Sequence, residues 1–431
     1  MNPSFKFRLL LLLSTLASGV SLLYMHQIQG PWIHYLDRAR GEVIDPMGDL
    51  YPPWIGAREL LLHRRNPYLP EVTHEIQMAF YGHPIRQIYS QVGPLVINEQ
   101  RFVYPVYTVF VMAPIIWMGF ADVRTYAPFA LGLMTSLSVL IYLDLLRWRP
   151  PWEVVTALVL FTLSSPQVVQ GLRLEQLALL VSFLLSLGAW CVTRQHYKTA
   201  GVLLALSTIK PQIALLPLCW FVIWAVGDWT KRWRLAASFI FTVTGLLVAS
   251  EVLLPGWMRY FLINIAAYRK YAPIWGLLPL ALGNTVGTIV GSCLVLALLH
   301  YAWRNRKEPA HSRQFATVFA AFLMGTLLVF PLFIPFNQVL LILPALLLIQ
   351  DWQALPRFSR LVFTATISWP WISSSLLLMI RPRVDSPHRL PLLPTFLGLF
   401  LPILLPLLLM TRRSKTAEPL LSAPDLSAAS L

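Results

Sequence analysis

The chain reads as all-α: a polytopic bundle of about twelve membrane-spanning helices, with short amphipathic helices in its first outer loop. Three observations predict this. Apolar residues make up 57% of the 431 and charged residues only 12%, about half the usual charged share of a soluble domain. Such a surface cannot be kept in water. The apolar residues also come in blocks long enough to cross a hydrocarbon core, which takes roughly 20 residues per helix. Between the blocks sit short basic clusters, such as Lys231-Arg232-Trp233-Arg234, Arg304-Asn305-Arg306-Lys307 and Arg412-Arg413-Ser414-Lys415. Loops that stay in the cytoplasm or meet lipid phosphates look like this. The net charge of +15 therefore does not point to nucleic acid, because no basic stripe with a reading module accompanies it.

The elements follow in order. Lys6 and Arg8 precede the apolar run Leu9 to Tyr24, and this run is read as a first anchor with a cytoplasmic N-terminus rather than as a cleaved signal peptide. Residues 1–28 thus form the first transmembrane helix. Residues 29–103 form an extracytoplasmic loop rich in acids, among them Asp37, Glu42, Asp45, Asp49, Glu59 and Glu71. Within it, Pro53 to Arg65 predicts an amphipathic helix lying along the interface, started by Pro52-Pro53 and stopped by Asn66-Pro67. Residues 104–411 form the transmembrane bundle. Its candidate spans lie near 104–120, 124–146, 153–168, 174–193, 199–226, 235–254, 277–300, 315–334, 336–350, 360–380 and 391–411. The Ser-, Ala- and Pro-rich residues 412–431 read as a disordered cytoplasmic tail.

A simple count of spans puts Arg147-Trp148-Arg149 and Arg194 to Lys198 outside, against the positive-inside tendency. An alternative reading splits 199–226 at Lys210-Pro211 and makes 104–120 re-entrant. Proline removes a backbone donor, and lipid tolerates the break only where protein or a wet cavity satisfies the freed groups.

Ionisable residues in or beside apolar runs are expensive, and that makes them candidates for function. Asp49, in Gly48-Asp49-Leu50-Tyr51-Pro52-Pro53-Trp54, sits just before the outer amphipathic helix, where a carboxylate can act as general base toward a sugar hydroxyl or simply cap a helix. Lys210 lies between two apolar runs and needs an anion, such as a phosphate, or a path to water. Arg173, Glu175 and Gln176 form a polar island that either satisfies itself or faces substrate. Arg259, Arg269, Lys270, Arg381, Arg383 and His388 lie on loops assigned to the outside, where they meet water, lipid head groups or an anionic substrate. Cys191, Cys219 and Cys293 are scattered along apolar runs, with neither metal-ligand nor disulfide spacing. Walker loops, dinucleotide fingerprints, zinc spacings and nucleophile elbows are absent from the sequence. Nothing in it calls for a metal or a cofactor.

Several segments resemble the polytopic GT-C glycosyltransferases, and within them glycosyltransferase family 87, which includes polyprenol-phosphate-mannose-dependent α-mannosyltransferases. They are Gly48-Asp49-Leu50 with Gly56-Ala57-Arg58-Glu59-Leu60-Leu61 and Asn66-Pro67-Tyr68; Phe102-Val103-Tyr104-Pro105; Ala200 to Leu206 leading into Ile209-Lys210-Pro211; and Pro335-Phe336-Asn337 with Leu343-Pro344. The resemblance runs from about Gly48 to Pro344. It departs where the family's Gly-Gln-x-Asn appears as Glu175-Gln176-Leu177-Ala178, and where Pro335-Phe336-Asn337-Gln338 replaces a Ser/His-containing stretch.

The resemblance implies an inverting enzyme of a bacterial plasma membrane. It would move a sugar, in the mannosyltransferase members mannose, from a polyprenyl-phosphate donor to a lipid or glycan acceptor at the outer face. The base role falls on Asp49, with Asp45 in reserve. Binding falls on Lys210, Arg173, Gln176, Arg259, Arg269 and Asn337, and the donor's tail lies among the helices and membrane lipids. Two other readings remain: a lipid-linked saccharide transporter or flippase without enzymatic activity, and an accessory subunit with a degenerate site.

Overall fold

The computed structural model describes residues 3–39, 47–82, 100–271, 276–330, 334–382 and 390–411. Asp45, Arg383, His388 and the tail 412–431 lie outside these residues, as do the side chains of Arg269 and Lys270. Every regular element among the described residues is a helix. Helix α1 (Pro3–Tyr24) runs through a wide turn, Met25–Gln29, into α2 (Gly30–Ala39). The first loop then supplies α3 (Tyr51–Leu62) and α4 (Pro70–Tyr81).

Helix α3 falls close to the amphipathic helix read from the sequence, and Pro52 and Pro53 stand in its first turn, where a missing N–H costs nothing. Most of its circumference is nevertheless buried. Even Glu59, 4% exposed, turns inward, held by Arg65 at 2.8 Å and His63 at 2.9 Å. A charged residue can be buried when it is paired in this way.

The bundle follows as α5 (Thr108–Met112), α6 (Phe120–Leu145), α7 (Trp152–Leu163), α8 (Pro166–Arg173), α9 (Leu177–Thr193), α10 (Tyr197–Leu206), α11 (Pro211–Gly227), α12 (Trp229–Leu253), α13 (Trp257–Tyr271), α14 (Leu277–Leu282), α15 (Asn284–Asn305), α16 (Arg313–Val329), α17 (Ile342–Gln350), α18 (Arg357–Ile380), α19 (Leu393–Phe396) and α20 (Leu401–Met410). Among the described residues five helices are long and apolar enough to cross a membrane: 5–36, 120–145, 229–253, 284–305 and 357–380. The pair α7 and α8, bent by 59°, makes a sixth. The other apolar stretches read as spans are shorter helices.

Proline explains two of the breaks. The stretch 199–226 is two helices, broken by the turn Ser207–Ile209 and an extended Lys210 immediately before Pro211. The residue before a proline avoids the helical region, so the break falls where sterics place it. The freed carbonyls find partners: Ser207 Oγ donates to Leu204 O, Thr208 Oγ1 to Ala205 O, both at 2.6 Å, and Tyr107 Oη to Thr208 O at 3.0 Å. At the α7–α8 bend, before Pro166, Ser165 Oγ donates to Thr162 O and Ser21 Oγ reaches across from α1 to Ser164 O. The stretch 104–120 contains only the five-residue α5 and a single 3-10 turn. At 1.5 Å per residue, α5 cannot cross a bilayer.

Contacts sort the helix ends into two groups. Arg194 pairs with Asp144 at 2.7 Å, Gln350 donates to Leu146 O, and Arg313 pairs with Asp351. Tyr197 packs on Trp224, whose indole donates to Glu308 O. Arg232 donates to the carbonyls of Trp224, Arg306 and Glu308. The basic stretches 147–149, 194–198, 231–234, 304–307 and 313 therefore share one end of the bundle. The reading that splits 199–226 is the one consistent with this grouping.

Candidate active site

At the opposite end, breaks in the helices converge. Asp49 lies in the turn leading to α3, and its backbone N–H donates to Leu174 O at 2.8 Å, docking the turn onto the α8–α9 corner. Gln176, the residue capping α9, donates through Nε2 to Asp49 Oδ2. The same amide accepts from Lys210 Nζ at 2.7 Å through Oε1. Lys210 caps α11, is 6% exposed, and lies 5.1 Å from the centre of the Phe336 ring. The result is a relay: carboxylate, amide, ammonium.

Each member depends on local chain behaviour. Asn66-Pro67 and Pro52-Pro53 bracket the helix that follows Asp49 and fix where its turn begins. Pro211 forces Lys210 out of the helix, so its side chain projects from a break rather than along a helix face. Phe336 sits in a 3-10 turn, Pro335–Leu341, packed against α8. Two helix N-termini, those of α9 and α11, thus open onto the same place, and such termini favour negative charge.

Burial lifts the Asp49 carboxyl above its ordinary range, while the charge of Lys210, the Gln176 hydrogen bond and the charge of Arg173 pull it back down. The carboxyl is thereby a stronger base than a free aspartate, yet its anion still has three stabilising neighbours.

Arg173 ends α8, is exposed, and acts on Asp49 through its charge. Glu175 is buried and faces Arg124, at 3.8 Å, in the first turns of α6. Asn337 is buried in the turn that carries Phe336. Arg259, in contrast, is exposed on α13 and does not join the relay among the described contacts. Arg381 is exposed beyond the end of α18. Among the described residues no three of His, Cys, Asp and Glu converge as a metal site would need.

Sequence reading passes over Arg124 and the Gln167–Gln338 pair, joined at 3.1 Å between α8 and the turn 335–341, and names Phe336 only within a family-like segment. Arg124 carries a signal, as an arginine at the start of an apolar run. Phe336 carries none of its own beyond that segment, since an aromatic residue in such a chain is ordinary packing.

Residues 102–335 match the family model of glycosyltransferase family 87. The chain belongs to glycosyltransferase family 87. The matched range holds Arg124, Arg173, Glu175, Gln176, Lys210 and Arg259, so most of the relay of this glycosyltransferase lies inside it. It begins after Asp49 and ends before Asn337, and is narrower than the resemblance drawn from Gly48 to Pro344. No curated protein and no solved structure matches the chain significantly.

Proposed function

We propose that this membrane glycosyltransferase takes its sugar from a polyprenyl-phosphate donor and transfers it, with inversion, to an acceptor hydroxyl on the extracytoplasmic side. The observation that carries the reading is the relay Asp49–Gln176–Lys210. It supplies what displacement from a lipid phosphate needs: a carboxylate to take a proton, and positive charge where the phosphate departs.

Gln176 occupies Oδ2 of Asp49, so Oδ1 is the oxygen that accepts the acceptor's hydroxyl proton. The acceptor oxygen attacks the anomeric carbon as the bond from that carbon to the phosphate oxygen breaks. The electron pair leaves on the phosphate, where Lys210, Arg173 and the N-termini of α9 and α11 stabilise it. One displacement inverts the anomeric centre.

Two further observations favour a lipid-linked donor. A cavity of about 740 Å³ opens among α1, α7, α8, α17, α18 and α20, lined mainly by apolar side chains such as Leu13, Phe161, Ile342 and Phe363. Gln167 and Gln338 also line it, and Gln338 belongs to the turn that lays Phe336 against Lys210. A prenyl chain seated there starts close to the relay. The basic stretches, gathered at the other end of the bundle, would be cytoplasmic by the positive-inside rule. Asp49 then faces outside. Mannose is the first sugar to test, by the resemblance to the mannosyltransferase members.

The test is a product analysis by mass. Purified protein in lipid nanodiscs is given synthetic polyprenyl-phosphate mannose or glucose, or nucleotide-activated sugars, with candidate lipid and glycan acceptors. A new glycosidic product from a lipid donor is expected. Transfer from nucleotide-activated sugars alone, or movement of label across vesicles with no new bond, contradicts the reading.

A further inference from the structure

Glu175 is an acid only 1% exposed, and it stands between the two residues that grip Asp49. Leu174 before it takes the Asp49 N–H, and Gln176 after it binds the Asp49 carboxylate. Its backbone has φ +52°, in the left-handed region that glycine enters without strain and a side chain rarely adopts. That conformation is the left-handed cap ending α8, with Glu175 N–H donating to Leu172 O and Gln176 N–H to Gly171 O; the burial of an acid there is what two neighbours explain. Arg124 faces its carboxylate at 3.8 Å from α6. On the loop side, the carboxylate fills the space beside Gly48 where a side chain would begin: a Cβ at Gly48 would lie 2.5 Å from Glu175 Oε2. Gly48 directly precedes Asp49. The empty position on one segment of chain and the buried acid on the other therefore fit each other.

We propose that Glu175 is a positioning residue for the transfer reaction: its carboxylate, set by Arg124, seats against Gly48 and fixes the turn that aims Asp49. This rests on Asp49 being the base. The side chain that departs from the family's Gly-Gln-x-Asn pattern is then a device of this chain for holding that base, with Gly48 as its complement.

The prediction is reciprocal rescue. Gly48→Ala pushes the Glu175 carboxylate aside and shifts the Asp49 turn, lowering kcat by up to about 100-fold, the loss that a misplacement of roughly 1 Å can bring. KM stays within about threefold, because the contacts to substrate are untouched. Glu175→Gly alone lowers kcat more mildly. The double variant Gly48→Ala/Glu175→Gly recovers kcat well above that of Gly48→Ala, because the alanine then meets no carboxylate. Glu175→Gln keeps the shape but weakens the attraction of Arg124, and falls between wild type and Glu175→Gly.

The acid limb of the pH–kcat profile moves in Gly48→Ala and returns in the double variant. A role in folding alone would change the yield of folded enzyme and leave that limb in place. Tryptophan fluorescence melts establish that the enzymes compared are folded. Should Gly48→Ala fail to fold, the comparison of Glu175→Gln with Glu175→Gly, by kcat and by pH limb, carries the test: equal loss in both, with no movement of the limb, overturns the proposal. So do additive losses in the double variant. Failure of the base assignment looks different, since Asp49→Asn would then keep turnover, whereas failure of the positioning role leaves Asp49→Asn inactive and the paired substitutions merely additive.

Discussion

A half-buried aspartate is a useful base only if its anion is neither too costly nor too comfortable. In this enzyme burial makes the Asp49 anion costly, and Lys210, Gln176 and Arg173 relieve part of that cost. A base works deprotonated, so turnover falls as pH drops through its pKa. With that pKa raised, the acid limb of kcat/KM lies above the ordinary carboxylate value of about 4. Gln176→Leu and Lys210→Met each remove an influence that lowers the Asp49 pKa, so each moves the limb to higher pH. A limb that stays put in both variants, or moves down, would show that the relay does not tune Asp49. The candidate residues are legible in the sequence for different reasons: Asp49 stands beside a helix start, Gln176 lies in a polar island between apolar runs, and Lys210 precedes a proline amid an apolar run. Their pairing is not. A sequence shows that Lys210 needs a partner, but only the fold shows that the partner is a glutamine that itself holds the aspartate. Arg259 illustrates the opposite outcome, a cation that looks equally available in the sequence and is exposed on α13.

Two apolar runs are broken at prolines, where hydroxyls satisfy the freed carbonyls, and the sequence alone marks the breaks at Lys210-Pro211 and Asn66-Pro67. Span lengths are harder to read, since a long apolar run looks alike whether it is straight or folded at its middle. The tight pair α10 and α12 shows what else stays hidden. Gly201 lets the two helices approach until a Cβ there would collide with Ser238 and the Leu235 carbonyl. Such close approach by small residues drives helix association in lipid. A second structural device is Arg232, 6% exposed, stacked 3.7 Å from the Trp224 ring centre and donating to three carbonyls across α11 and the segment after α15. Arg232→Met should therefore destabilise the fold by about 2–4 kcal/mol, because hydrogen bonds to a charged donor are worth about 1.5–3 kcal/mol each and solvent and repacking recover part. Thermal unfolding in detergent measures this. A melting temperature unchanged from wild type would mean that the clamp is ornamental.

Across the whole molecule, the basic clusters at 147–149, 194–198, 231–234 and 304–307 share one end of the bundle, and the relay lies at the other. That separation cannot be assembled from the sequence alone, because a simple span count leaves Arg147 to Arg149 and Arg194 on the wrong side unless the chain is split at Lys210. The orientation makes a direct prediction. In a background with Cys293→Ala, Lys307→Cys should be shielded from a membrane-impermeant maleimide in intact cells, and Glu71→Cys should be labelled. The reverse pattern would put Asp49 in the cytoplasm and end the case for an outward-facing base. In the proposed reaction the helices, their proline breaks and the apolar cavity serve a single event, removal of a proton while a lipid phosphate leaves. The most direct measurement is the single-turnover rate of Asp49→Asn with a polyprenyl-phosphate sugar as donor, on protein shown to be inserted and folded. A loss of about 10²–10⁴-fold is expected, the share general base catalysis supplies; a rate within a few-fold of wild type would contradict the assignment of Asp49 as the base.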